Sequence, residues 1–91
     1  MLSEWDDNKR QPNLAKHHID FQDAQRIFDG PVFEKTSTRR GERRVLAIGS
    51  MGDVVIVVVY VMRGSCRRLI SARKAHSNER KDYSNHLKLA R

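Results

Sequence analysis

Asp53-Val54-Val55-Ile56-Val57-Val58-Val59-Tyr60-Val61-Met62-Arg63-Gly64-Ser65-Cys66-Arg67-Arg68-Leu69-Ile70-Ser71-Ala72-Arg73-Lys74-Ala75 is a run of valines, a turn and a basic return. Val54 to Val61 is almost entirely β-branched, and such side chains pack well on a pleated surface and poorly in a helix. With no polar alternation, the run predicts a central strand covered on both faces. At about nine residues it is far short of the ~18 needed to cross a bilayer, so a membrane span is not expected. The return predicts a second strand, where alternation puts Arg67, Leu69 and Ser71 on one side and Arg68 and Ile70 on the other. Its arginines read in two ways. They protect a sheet edge from aggregation, or they form a phosphate site beside the Ser71 hydroxyl, because the guanidinium fork binds phosphate oxygens in pairs.

Around this pair, composition sets bounds. The chain has 91 residues, enough for one small domain, 1–91, with a single core. The lone Cys66 excludes an internal disulfide framework, and the acidic start Met1-Leu2-Ser3-Glu4-Trp5-Asp6-Asp7 is not a signal peptide, so a cytoplasmic location is expected. The net charge of +7 is uneven: residues 1–34 carry −3, residues 35–44 carry +4 and residues 63–91 carry +7. That asymmetry suits a polyanion such as RNA or DNA, or an acidic protein that masks the basic half.

Toward the N-terminus, Leu2 to Trp5 suits a short strand, and Asp6 or Asp7 caps a helix over Asn8 to His17 with Leu14 and Ala15 inward. Pro12 requires either a kink in that helix or a regular part beginning at Pro12. Asp20 caps a second helix whose apolar stripe is Phe21, Ala24, Ile27 and Phe28, stopped by Asp29-Gly30-Pro31. Val32 to Lys35 suits a short strand and Thr36 to Gly41 a polar loop. Glu42 to Gly49 alternates as a strand, with Arg44, Leu46 and Ile48 on one face and Arg43, Val45 and Ala47 on the other. Short links at residues 50–53 and 63–65 make three consecutive antiparallel strands. Ser77 caps a final helix to about Leu87, with Arg80 where a capping box would have Glu. Together these elements make an α+β domain: a small twisted, mainly antiparallel sheet with two N-terminal helices and one C-terminal helix.

Trp5-Asp6, Asn13-Leu14-x-Lys16-His17, Phe21, Ile27-Phe28-Asp29, Gly41-Glu42-x-Arg44, Ile48-Gly49, Val58-Val59-Tyr60, Arg63-Gly64, Arg68-x-Ile70-Ser71-Ala72-Arg73-x-Ala75, Glu79-Arg80 and Tyr83 occur in an order and spacing that resemble the BrnT family. The resemblance covers essentially the whole chain, and Ile70-Ser71-Ala72-Arg73 is its most specific part. It implies a RelE-like fold, the toxin half of a bacterial type II toxin–antitoxin system, and endoribonuclease activity that stops translation. It also implies a co-expressed antitoxin similar to BrnA, with a ribbon-helix-helix half through which alone the toxin would reach DNA. The family usually has Gly after its Lys-His pair. Here His18 stands there, and a left-handed conformation at that position would cost about 1 kcal/mol.

RNA cleavage without metal needs a base for the 2′-hydroxyl proton, an acid for the leaving 5′-oxygen and fixed charge on the phosphate. Lys16, His17, Glu42, Arg44, Arg68 and Arg73 are the catalytic candidates: His17 and Glu42 as proton carriers, Lys16 as an assisting cation, and the arginines on the phosphate. Arg67, Ser71, Lys74, Arg80 and Tyr83 are candidates for holding RNA, Tyr83 by stacking on a base. Structural roles compete with each: Glu42 and Arg44 as a salt-bridge ladder, His17 as a helix-end residue, and Tyr83 as packing for the last helix. No metal site or cofactor is expected, because His17 and His18 are adjacent and point apart, Cys66 is alone, and His76 and His86 lack helical partners. The alternative is a nucleic-acid-binding or transcription-regulating module without catalysis.

Overall fold

The computed structural model describes residues 2–89 as a five-stranded sheet, with helices on both faces. In chain order the elements are β1 (Ser3–Trp5), α1 (Asp7–His17), α2 (Phe21–Ala24), a 3-10 turn (Gln25–Asp29), β2 (Phe33–Arg39), β3 (Glu42–Met51), β4 (Val54–Arg63), β5 (Cys66–Lys74) and α3 (Ser77–Leu89). Across the sheet the order is β1-β5-β4-β3-β2, antiparallel except where β1 runs parallel to β5. The valine strand is therefore central. Ile56 and Val58 face one core and Val57 the other, all three with no exposed surface.

The larger core lies under α1, α2 and the 3-10 turn, where Phe21, Ala24 and Ile27 meet Ala47, Ile56, Val58, Leu69 and Ala72. Gly49 is buried here because a Cβ on it would stand 2.8 Å from the Cβ of Ile27. The smaller core lies under α3, where Tyr83 and Ala75 meet Ile48 and Val57. Its helix covers only one end of that face. Arg44, Val61 and Arg68 lie toward the other end, half-exposed rather than buried.

Several local expectations change. Thr36–Arg39 is strand rather than loop, closing on β3 through the two-residue turn Arg40-Gly41, in which both residues have positive φ (53° and 77°). This is the type I′ geometry that matches strand twist. Helix α1 runs through Pro12. It turns Asn13 inward rather than Ala15, which is exposed. The start of α3 is secured one residue earlier than Ser77: the Glu79 carboxylate accepts from the His76 backbone N–H at 2.7 Å, the reciprocal half of a capping box. Other expectations hold. Asp6 and Asp20 are the N-caps of α1 and α2, each accepting from the backbone N–H two residues on. His18 ends α1 in the left-handed region (φ 60°, ψ 27°), its N–H donating to the Leu14 carbonyl.

Candidate functional site

A β-bulge decides which side chains of β5 share a face. Tyr60 pairs with Leu69 but Val59 with Ser71, so Ile70 is the extra residue. Such an insertion bends the strand and re-aims the side chains beyond it. Strict alternation would keep Ser71 with Arg67 and Leu69. Instead Ser71 and Arg73, opposite Val59 and Val57, share the α3 side of the sheet with Arg68, opposite Val61. Arg67 and Lys74 fall on the other side.

Each arginine proposed for the phosphate holds an internal carboxylate. Arg73 makes a two-bond fork to Glu79 (2.8 and 2.9 Å), Arg68 meets Glu4 across the β1–β5 pair (3.2 Å), and Arg44 meets Glu42 on its own strand (3.3 Å). The Arg73 fork holds the largely buried Glu79 carboxyl down at about 2, assisted by the His76 N–H, and the same pairing raises the Arg73 pKa. Arg68 and Arg73 sit opposite β4 residues four apart, so their Cα atoms are separated by roughly 13 Å along the sheet. They are parts of one face rather than neighbours on one phosphate.

Lys16 and His17 stand where α1 meets the open side of β5. Asn13 places them there: its buried side chain donates to the Ile19 and Ala72 carbonyls and accepts from the Ala72 N–H, all at 3.0 Å. The amide thereby continues the β5 ladder beyond Leu69, where β1 ends. Two clefts of about 300 Å³ each share Lys16 and His17. Ile70 and Ser71 line one; Arg73, Lys74 and His76 line the other. The His17 pKa is lowered, first by burial and then by the charges of Lys16 and Arg73. A neutral imidazole beside fixed cations is suited to accept a proton.

Glu42 and Arg44 lie apart from this, lining a cleft of about 410 Å³ with Arg39 and Arg40 at the β2–β3 turn. Arg67 stacks on the Phe28 ring at 3.8 Å on the helix-covered side. The Arg80 guanidinium donates to the Ala75 carbonyl at 2.8 Å. Tyr83 is 4% exposed and its hydroxyl donates to the Pro31 carbonyl, so its ring is packed in the smaller core and not presented to a base. Asn13 and Glu79 were missed as site-building residues, because their partners become neighbours only in the fold. Among the described residues no three His, Cys, Asp or Glu side chains gather into a ligand set, and no helix is long and apolar enough to cross a membrane.

Residues 5–79 match the family model described as "Ribonuclease toxin, BrnT, of type II toxin-antitoxin system". The crystal structure of the Brucella abortus ribonuclease toxin BrnT superimposes with a TM-score of 0.64 at 32% identity, over 85% of this chain and all of that one. No curated protein matches the sequence. The family model spans Lys16, His17, the bulged β5 strand and Glu79, and with it the chain belongs to the BrnT ribonuclease toxins of type II toxin–antitoxin systems.

Proposed function

We propose that this endoribonuclease cleaves RNA without a metal ion in the paired clefts around Lys16 and His17. The observation that carries the reading is an imidazole of lowered pKa standing between a Ser71-lined cleft and one lined by Arg73 and Lys74. His17 takes the 2′-hydroxyl proton and the 2′-oxygen attacks the adjacent phosphorus. The bond to the 5′-oxygen breaks, leaving a 2′,3′-cyclic phosphate and a 5′-hydroxyl. The proton for that oxygen comes from the Lys16 ammonium, which both clefts share. Lys16, Lys74 and the fixed Arg73 carry the charge that builds on the phosphate. Arg44 and Arg68, on the same sheet face as Ser71 and Arg73, extend the track for the RNA backbone, and Glu42 orients Arg44.

The toxin's antitoxin is, in this reading, BrnA-like, with a ribbon-helix-helix half that alone contacts DNA. An acidic or amphipathic segment of it lies over the basic face and pairs with the exposed heads of Lys16 and Lys74. In the bacterial cytoplasm the free toxin stops translation by destroying RNA. Purified protein with labelled RNA and excess chelator tests the chemistry: fragments ending in 2′,3′-cyclic phosphate are expected. Intact RNA with a gel shift would point to a binder without catalysis. For the partner, growth arrest on expressing this chain alone should be relieved by the adjacent gene, and operator binding should vanish without that gene's product.

A further inference from the structure

Another cavity, of about 450 Å³, lies on the Arg67 side of the sheet and shares no lining residue with the Lys16–His17 clefts. One wall is the polar stripe of α2 and the 3-10 turn: Gln22, Gln25, Arg26 and Asp29, spaced i, i+3, i+4 and i+7 and so on one helical face. The inward stripe of the same segment, Phe21, Ala24 and Ile27, is in the core. The other wall is Arg67. Its guanidinium carbon lies 3.8 Å from the centre of the Phe28 ring and 5.8 Å from that of Tyr60. Arg68 and Arg73 on the same strand are each tied to a carboxylate, whereas Arg67 has none among the described residues, and its buried Nε has no partner. Stacking on Phe28 and the adjacent Tyr60 hydroxyl, which itself donates to Glu34, fix this guanidinium plane, and among the described residues no carboxylate forms an ion pair with it.

We propose that this cavity is a nucleobase subsite for single-stranded RNA, remote from the cleaved bond, with the Arg67 plane as its stacking platform. Arginine planes and aromatic rings are the surfaces on which unpaired bases stack. The facing stripe offers the mixed set that a base edge needs: two amides that donate and accept, the Arg26 donors and the Asp29 acceptor. A bare phosphate or an acidic peptide would meet Asp29 as a repulsive neighbour. The subsite rests on RNA being the substrate and not on which residues cleave it.

Titration of the 15N-labelled full chain with each of the four nucleoside 5′-monophosphates tests it. The Arg67 Nε–H and the Gln22 and Gln25 side-chain amide signals should shift, to different extents for different bases. Arg67→Lys, which keeps the charge and loses the plane, should weaken binding about tenfold or more, as loss of a base stack does. Gln25→Ala should change the base preference with an unchanged melting temperature, and it covers the case of an unfolded Arg67 variant. Equal shifts with inorganic phosphate alone would overturn the proposal in favour of an anion site. Shifts with hexaglutamate while the nucleotides are inert would overturn it in favour of an acidic partner segment. No shift at millimolar nucleotide would leave only a solvated stripe. Cleavage that survives loss of His17 would overturn the cleavage site without changing these shifts.

Discussion

His18 occupies a left-handed position (φ 60°) that a side chain with a Cβ enters at a cost. His18→Gly should therefore stabilise the protein by about 0.5–1 kcal/mol. Thermal unfolding should show this as a rise of several degrees. Asn13 is the opposite case. Asn13→Ala removes three buried hydrogen bonds and leaves both backbone groups of Ala72 without their partner. A loss of about 2–4 kcal/mol in denaturant unfolding is expected, with reduced cleavage because Lys16 and His17 lose their anchor. The strain at His18 was legible in the sequence, since a helix end is local. The role of Asn13 was not, because Ala72 is 59 residues away and only the fold brings it near. For Arg73 and Arg68 the residue type suggested phosphate binding as a chemical possibility. Their carboxylate partners, Glu79 and Glu4, could not be assigned before the sheet was known.

Among the elements, β4 was the most legible, because a β-branched run without alternation has one comfortable home. The β2–β3 hairpin was hidden by its turn: Arg40 stands where Asn or Asp would have announced a type I′ geometry, and an exposed Thr-Ser-Thr run reads as loop. The bulge at Ile70 was equally hidden, since one extra residue leaves no mark in the hydrophobic pattern and yet moves Ser71 and Arg73 to the other face. Gly49 is where β3 touches the 3-10 turn, and Gly49→Ala should destabilise by about 1–3 kcal/mol because the new methyl meets the Ile27 Cβ, a backbone-fixed atom. Chemical denaturation measures it. Helix α3 is docked by the Arg73–Glu79 fork, which makes its stability acid-sensitive. The Glu79 pKa is depressed to about 2, so the stabilisation is full above the unfolded value near 4.5 and is lost as pH falls toward 2. By linkage it is worth roughly 3 kcal/mol at most. Glu79→Gln should flatten the stability–pH curve in that window, and Arg73→Ala should lower the melting temperature together with activity, because it strands a buried carboxylate.

At the scale of the whole molecule, the asymmetric charge of the sequence becomes two different surfaces. The sheet face carrying Arg44, Arg68, Ser71 and Arg73 runs to the Lys16–His17 clefts, while Arg67 looks the other way over Phe28. The basic balance of the second half announced a polyanion partner, but it could not say that the arginines would be divided between faces or tied to acids. The resemblance in motif order announced the family, and the strand order with its parallel β1–β5 pair came from the fold alone. If the clefts do the chemistry, His17 must act neutral, and its lowered pKa keeps it so below the usual histidine range. The acidic limb of the cleavage rate should then fall below about pH 6.5. The direct measurement is single-turnover cleavage of one labelled RNA in excess chelator by the wild type and by His17→Ala, each with its melting temperature and pH profile. A loss of about 10²–10⁴-fold is expected for His17→Ala, with the acidic limb gone and melting unchanged. An undiminished rate in His17→Ala, or wild-type cleavage abolished by chelator, would contradict it.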